Sequence, residues 1–488
     1  MSKFVFNLSP KTKPFPHQLE AIQFMIGKEY VPLFDEQGLG KTKIVIDSLL
    51  EDINNEFIDG AIIVCKKYLI PMWEDEILKH TYLKPIILKG TSKDLGFKFM
   101  TYSHFYIINY EALFSEKQRL KDFMKIRRLA MILDESQKIK NPDAKITDAV
   151  LDLKDYAKKR IIISGTPIAN KPMDIWPQFY FLNPNLLQDD YITFKRKYEV
   201  KLNDSGSLET VRDQLKHLSD IIEHVSIRRL KSKVLELPEK IYENVYVNLS
   251  AEESQVYIKL RDELILEISS LNGDTLIDES SNILKKLLRL TQISSNPKLV
   301  VPTFSGTPSK FTHIDKMVEK IIASDEKVII WSSFNGNINS LRDRYRKYGS
   351  LMIYGEVPLD ERSRIVSLFQ NNFQYRVLVA NPAAAKEGLT LTAANNAIYL
   401  DRNFNLVDYL QSQDRIHRIS QVKACKIIKL LAKDTIDEYI DEILYKKQKI
   451  AQFLQGDTKD LSNGKEYFTK TELLYILGAA KKEVNNGG

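Results

Sequence analysis

Asp35-Glu36-Gln37-Gly38-Leu39-Gly40-Lys41-Thr42 runs directly into an apolar, helix-patterned stretch, Lys43–Leu50. Two glycines one residue apart, then a lysine and a small hydroxyl residue where a helix begins, make a loop that accepts phosphate. Glycine lets the backbone approach the oxygens, amide N–H groups cradle them, and the helix N-terminus adds the positive end of its dipole. Gly38, Leu39, Gly40, Lys41, Thr42 and Lys43 are therefore the expected nucleotide-binding residues. The Lys41 ammonium is expected on the β- and γ-phosphates of ATP and the Thr42 hydroxyl on Mg²⁺. The general form of this loop has glycine where this chain has Asp35.

Three short β-branched runs flank the same region: Ala61–Cys65, Leu129–Leu133 and Arg160–Ser164. Each is bounded by polar or turn residues, as buried parallel strands are. Amphipathic stretches such as Pro71–His80 lie between them, and strand–helix alternation of this kind predicts a parallel α/β sheet. Residues of about 185 to 300 are long, charged and helix-patterned, as in Ser254–Ile268 and Asn282–Gln292. From Ser309 the alternation returns with Val328–Trp331, Arg376–Ala380 and Ala397–Asp401. The expected organisation is an α/β unit over 1–184, a helical insertion and linker over 185–308, a second α/β unit over 309–435 and a helical C-terminal tail over 436–488.

The chain has 488 residues, enough for two to four domains, and a formal net charge of +7. That charge suits a polyanionic partner only if it is concentrated on one face. No run reaches the roughly 18 apolar residues of a membrane span. The N-terminus lacks the apolar core and small-residue cleavage site of a signal peptide. The two cysteines, Cys65 and Cys425, lie far apart in apolar runs, which predicts buried free thiols rather than a disulfide or a zinc site.

Asp134-Glu135-Ser136-Gln137 follows the second strand of the first unit, about 90 residues after Lys41. Adjacent acids at the end of a strand suit metal-assisted phosphoryl transfer. Asp134 is expected to hold Mg²⁺ and Glu135 to orient and deprotonate the attacking water. Ser164-Gly165-Thr166-Pro167 ends the third strand, where small hydroxyl residues in a tight turn are able to exchange hydrogen-bond partners. The Gln18 amide matches the N6/N7 edge of adenine. In a helix predicted over Gln411–Arg418, Arg415 and Arg418 stand at i and i+3 on one face. Two guanidiniums there suit a clamp on a γ-phosphate, a contact that accelerates transfer by about 10³–10⁵-fold.

Longer segments resemble the Snf2 branch of superfamily 2 helicases, in order and over nearly the whole chain. The loop with Asp35 in place of glycine is similar to that family's own version. Ile107–Leu113, Asp134–Asn141 and Ser164–Asn170 with Trp176 and Pro184 resemble its motifs. So do Ile227–Val234 with Leu237-Pro238, and Leu288–Ile293 with Asn296-Pro297. Ser309–Phe311 leading to Lys327–Ser332, Glu387–Thr392 and Arg415–Gln421 complete the series. The resemblance implies two RecA-like lobes with ATP and Mg²⁺ held by both, Gly388 joining the nucleotide contacts, and Gln137 standing where the family usually has His. It also implies double-stranded or branched DNA as the partner, reached through Lys66, Lys67, Arg228, Arg229, Ser332, Lys386 and Thr390. Lys66, Asn381–Lys386 and Asn405-Leu406 depart from the family pattern in or near these DNA-facing loops.

The function expected on these grounds is a DNA-dependent ATPase that translocates along duplex DNA and remodels it or its protein complexes. A strand-separating or branch-migrating helicase shares every ATP-site residue and is the first rival. A catalytically inactive binding scaffold is the second, opposed by the intact Lys41, Asp134, Glu135, Arg415 and Arg418. A monomeric motor with no membrane partner, bacterial or viral, working in the cytoplasm, completes the expectation.

Overall fold

The computed structural model describes residues 6–168, 170–198, 208–270, 280–384 and 389–459. They divide into two compact units: the first takes 6–236 with 449–459, the second 237–448.

The first unit is built on β1 (Tyr30–Leu33), β2 (Gly60–Cys65), β3 (Ile86–Ile87), β4 (Phe105–Asn109), β5 (Leu129–Asp134) and β6 (Lys159–Ile163). Their order across the sheet is β1-β6-β5-β2-β4-β3, every pair parallel. In register, Ile132 of β5 sits between Ile63 of β2 and Ile161 of β6. β2 is buried along its whole length, which is why it reads as an unbroken apolar run rather than an alternating one. Ile44, Val45 and Leu49 of the helix Lys41–Asn54 share one core with Ile63, Ile132 and Ile161. The far end of that helix is fixed by a fully buried ion pair, Asp52 with Lys159 of β6. Lys159 also donates to the Met25 carbonyl at 2.7 Å, and Asp52 accepts the Gly27 N–H at 2.8 Å. Parallel strands put all their C-terminal ends on one edge. That edge therefore gathers the loops beginning at residues 34, 66, 110, 135 and 164, the usual place for a site in such a sheet.

The second unit carries β7 (Lys240–Val247), β8 (Val328–Trp331), β9 (Ser350–Ile353), β10 (Val377–Ala380), β11 (Asn396–Tyr399) and β12 (Cys425–Ala432). Their order is β7-β12-β11-β8-β10-β9, again wholly parallel. Each unit is thus an α/β RecA-like lobe.

The stretch 185–308, expected to be helical, is shared between the two units. The helix Leu208–Val225 belongs to the first, while Ala251–Ser270 and Ser280–Ser295 contribute Leu264, Leu287 and Leu290 to the core of the second. Between them β7 pairs with all eight residues of β12. As an edge strand it is mostly exposed, so its sequence lacks the apolar run that marks the central strands. Of the expected tail, the helix Ile436–Leu454 is described and residues 460–488 lie outside the described residues. Asp437 seats this helix by pairing with the buried Lys310 and accepting from Ser294 and the Ala432 N–H. Among the described residues no helix is long and apolar enough to cross a membrane.

Candidate active site

Beyond β1 the chain turns at Gly38 and Gly40, both in the left-handed region with φ of 90° and 78°. Glycine adopts that region without the cost other residues incur. At Gly40 a second constraint applies, because a Cβ would run into the Gln18 amide. Gln18 is buried. Its Nε2 donates to the Leu39 carbonyl at 3.3 Å and its Oε1 accepts the Phe15 N–H at 2.9 Å, so it pins the helix Pro16–Met25 to the loop. Lys41 opens the following helix and donates to the Asp35 and Glu36 carbonyls at 2.8 and 3.1 Å. Burial holds its ammonium below the ordinary lysine value, against the opposing pull of Glu135, Asp35 and Asp134. A desolvated cation at a ring of backbone amides is suited to a polyanion.

β5 delivers the acid pair to the same edge. Asp134 Oδ2 accepts the Trp73 indole N–H at 2.8 Å, Oδ1 accepts the Glu135 N–H at 2.9 Å, and the Tyr110 hydroxyl donates to its carbonyl at 2.9 Å. Burial first, and the Glu135 charge second, push the Asp134 carboxyl up to about 6. Glu135 itself sits at φ 52°, a strained conformation for a residue with a side chain and one that concentrates at functional sites. Gln137 donates to Glu135, Ser164 Oγ donates to Gln137 Oε1 at 2.8 Å, and the Thr166 N–H donates to Ser164 Oγ at 3.0 Å. The acid pair and the Ser164–Pro167 turn are therefore one hydrogen-bonded string. A Cβ on Gly165 would lie 2.9 Å from Gln37 and 3.5 Å from Lys41 Nζ, so this turn rests against the phosphate loop.

Two buried atoms beside this junction, Gln37 Oε1 and Thr166 Oγ1, have no hydrogen-bond partner among the described residues. Orphaned buried polar atoms are costly unless a ligand or water completes them. The residues also fit a divalent cation, since a carboxylate strained by burial and a neighbouring like charge gains from one. Asp134 would hold it, with the hydroxyl of Thr42, the second residue of the loop helix.

In the second unit Arg415 and Arg418 do not continue a helix. The helix Leu406–Gln413 stops, and the next residues form tight turns. Gln421 donates to the Thr392, Ala394 and Ile416 carbonyls at 3.2, 2.9 and 3.1 Å, which ties the turn to the segment before β11. The Leu391 N–H donates to the Arg415 carbonyl at 2.9 Å, and His417 bonds to the Pro238 carbonyl at 2.8 Å. Arg418 donates to Thr390 Oγ1 at 2.7 Å and to the Asp414 carbonyl at 3.2 Å. Burial and then the charge of Arg415 hold the Arg418 pKa below the ordinary arginine value, with Asp414 opposing them. An anion relieves both penalties.

The sequence matches the SNF2-related domain family over residues 17–299 and the helicase conserved C-terminal domain family over residues 309–420. The chain belongs to the SNF2-related family. An uncharacterized ATP-dependent helicase of Mycoplasma pneumoniae is 29% identical to it over 490 residues, 97% of this chain and 45% of that relative. The ISWI chromatin-remodeling complex ATPase ISW1 of Saccharomyces cerevisiae is 24% identical over 510 residues, 97% of this chain and 43% of that relative. The chain thus spans less than half the length of these relatives. A solved structure, the Sulfolobus solfataricus SWI2/SNF2 ATPase core in complex with dsDNA, aligns at 28% identity with a TM-score of 0.44. That alignment covers 92% of this chain and 94% of the other.

Within this SNF2-related chain the first unit brings Lys41, Asp134, Glu135 and Gln137 together, and the second brings Arg415 next to Arg418. Several expected residues are engaged elsewhere. Lys43 points away from the loop, paired with Asp47 and donating to the Thr12 carbonyl at 2.9 Å, because two residues along a helix is the opposite side. Ser332 is buried and donates to Asp401 at 2.5 Å. Thr390 accepts from Arg418, and Arg228 and Arg229 form ion pairs with Asp457 and Asp35. Lys386 and Gly388 lie outside the described residues. Lys66 and Lys67 line a cleft of about 690 Å³ at the ends of β2 and β4, joined by Lys89 and Lys138, which sequence patterning had not singled out. Trp73, which holds Asp134, carries no local signal, being one aromatic in an amphipathic stretch, whereas Tyr110 lies in the motif-like segment Ile107–Leu113 without its bond to the Asp134 carbonyl being foreseen.

Proposed function

We propose that the chain is an ATP hydrolase that uses the cycle to translocate along double-stranded DNA. The observation that carries this is the assembly of Lys41, Asp134, Glu135 and the Ser164–Thr166 turn on one sheet edge, linked by hydrogen bonds from Glu135 through Gln137 to Ser164. Lys41 and the loop amides hold the triphosphate. Glu135 accepts the proton of the attacking water, and Gln137 keeps the Glu135 carboxylate turned to that task. Asp134 and Thr42 would hold Mg²⁺, which would supply charge neutralisation at the phosphates. Arg415 and Arg418 add positive charge that matters most in the transition state. Gln18, already committed to Leu39 and Phe15, fixes the loop and reads adenine only by exchanging those bonds.

DNA as the partner is supported by the names of the relatives, an ATP-dependent helicase and a chromatin-remodeling ATPase, and by the cleft holding Lys66, Lys67 and Lys89, where Lys138 is paired with Glu111 and Glu116 also lines the wall. Contacts of lysine with phosphate are independent of sequence and weaken with salt. A monomer acting in the cytoplasm belongs to this reading. The test is phosphate release titrated with single-stranded, double-stranded and branched DNA, for the wild type and Glu135→Gln. The proposal expects duplex to stimulate the wild type most and the variant to be slower by about 10²-fold or more. Equal rates for the two proteins would refute Glu135 as the base. A duplex-independent rate would refute the DNA coupling. Strand displacement without triplex displacement would replace translocation by unwinding.

A further inference from the structure

The entry to the phosphate loop is held by a segment nearly 200 residues away. Ile227 runs parallel to Leu33 beyond the edge of the first sheet. Its N–H donates to the Pro32 carbonyl at 3.1 Å, its carbonyl accepts the Phe34 N–H at 2.9 Å, and the Arg229 carbonyl accepts the Glu36 N–H at 3.1 Å. The ladder therefore continues past the end of β1 to the first residues of the loop. Successive side chains of an extended segment point to opposite sides. Arg229 forks the fully buried Asp35 carboxylate, through Nε at 3.1 Å and a second, shorter contact. Arg228 forks Asp457 at 2.7 and 2.6 Å, and donates to the Phe34 carbonyl at 2.6 Å. Glu36 accepts the Lys231 N–H at 2.5 Å.

Asp457 is itself seated on the first unit. Ser219 of the helix Leu208–Val225 donates to the Phe453 carbonyl at 3.0 Å, and Gly456 lies close against Glu223. The residues in this clamp are those the chain passes just before it enters the second unit at 237 and just after it returns at 449. The outgoing connection is thus bonded directly to residues 34–36, and the returning one reaches them through Arg228.

We propose that Arg228, Arg229 and Asp457 are positioning residues for the nucleotide. They set the entry angle of the phosphate loop, and so link nucleotide affinity to the two chain connections that leave and rejoin the first unit. This explains Asp35 in place of glycine: a buried carboxylate gives Arg229 a planar, two-point grip that a lysine would not reproduce. It also gives the two arginines a task other than DNA contact. By linkage, nucleotide bound in the loop tightens the hold on Asp457 as much as Asp457 tightens the loop. The inference rests on the reading of residues 35–42 as an ATP site.

The full chain tests it with a fluorescent ATP analogue, by equilibrium binding, alongside thermal melting and the split between kcat and KM. Arg228→Glu and Asp457→Arg should each weaken binding by about tenfold, a size typical of a sub-ångström displacement of a binding loop. KM should rise in step while kcat at saturating nucleotide changes by less than about twofold. The double variant Arg228→Glu/Asp457→Arg restores the ion pair in reversed sense but not the donor to the Phe34 carbonyl, so it should recover part of the lost affinity. Arg229→Lys, the conservative change, covers the case in which a reversed charge prevents folding, and should also raise the dissociation constant with the melting temperature nearly unchanged. Wild-type binding with unaltered affinity in folded single variants would overturn the proposal. So would a double variant no better than the worse single. A wild type that binds no nucleotide would overturn the ATP-site reading together with it.

Discussion

The phosphate-loop edge of the first unit and the arginine turn of the second are both desolvated concentrations of charge, yet they are built differently. In the first, opposite charges share the space: Lys41 lies among Asp35, Asp134 and Glu135, and the loop's shape comes from Gly38 and Gly40. In the second, like charges are pressed together, and the turn that carries them is held by bonds from Gln421, Leu391 and His417 to distant backbone. The first is arranged to bind in the resting state. The second holds two desolvated cations beside Asp414, with Arg418 bonded to Thr390, and an added anion would favour their charged forms further.

The sharpest way to break this contrast is to remove one group from each side. Arg418→Ala should slow phosphate release by about 10³-fold and Glu135→Gln by about 10²-fold or more, with nucleotide affinity kept within a few-fold in both. Steady-state kinetics beside equilibrium binding checks this, and a matching loss of affinity in Arg418→Ala would place that guanidinium in ground-state binding instead. Next in size is Gln421→Ala. It strips the donors from three carbonyls and should cost about 1–3 kcal/mol of stability. Because Gln421 shapes the arginine turn, the rate should fall by about tenfold with the first unit's nucleotide affinity intact. Loss of stability without loss of rate would mean the turn holds its shape by other bonds.

The smallest effect sharpens the other side. Asp134 has its carboxyl raised to about 6, so it is ionised above that pH and loses its charge as pH falls through it. kcat/KM should therefore decline on the acid side of about pH 6. The Trp73 hydrogen bond favours the ionised form, so Trp73→Phe should move this limb to higher pH, with a loss below about tenfold at neutral pH. An unmoved limb would assign the acid-side decline to another group.

Legibility followed the range of the interactions. The loop around Lys41, the acids Asp134 and Glu135, and the Ser164–Pro167 turn each depend on backbone geometry and strand ends within a few residues, so their patterns survive in the linear chain. The interior strands β2, β5, β6, β8, β10 and β11 were visible because burial on both faces demands continuous apolar residues, while β4 and β12, interior as well, were not singled out. β7 was not, because an edge strand is free of that demand. Arg415 and Arg418 were recognised as a pair, but in a helix that the structure ends at Gln413. Local propensity favoured continuation, and in the folded chain Gln421 bonds instead to two distant carbonyls, Thr392 and Ala394, and to the nearby Ile416 carbonyl.

The linear chain sufficed for what is local or periodic: two parallel α/β units, their order, and the residues Lys41, Asp134, Glu135 and Gln137 that gather at one sheet edge. Tertiary structure alone decided the occupation of side chains that look interchangeable in a sequence. Arg228 and Arg229 read as two exposed cations for a DNA track, yet each forks a carboxylate of the first unit. Lys43 reads as part of the phosphate loop and serves Asp47 instead. A charged side chain goes to the partner that best offsets its desolvation. That partner, as Asp457 for Arg228, is often hundreds of residues distant, where no local pattern records it.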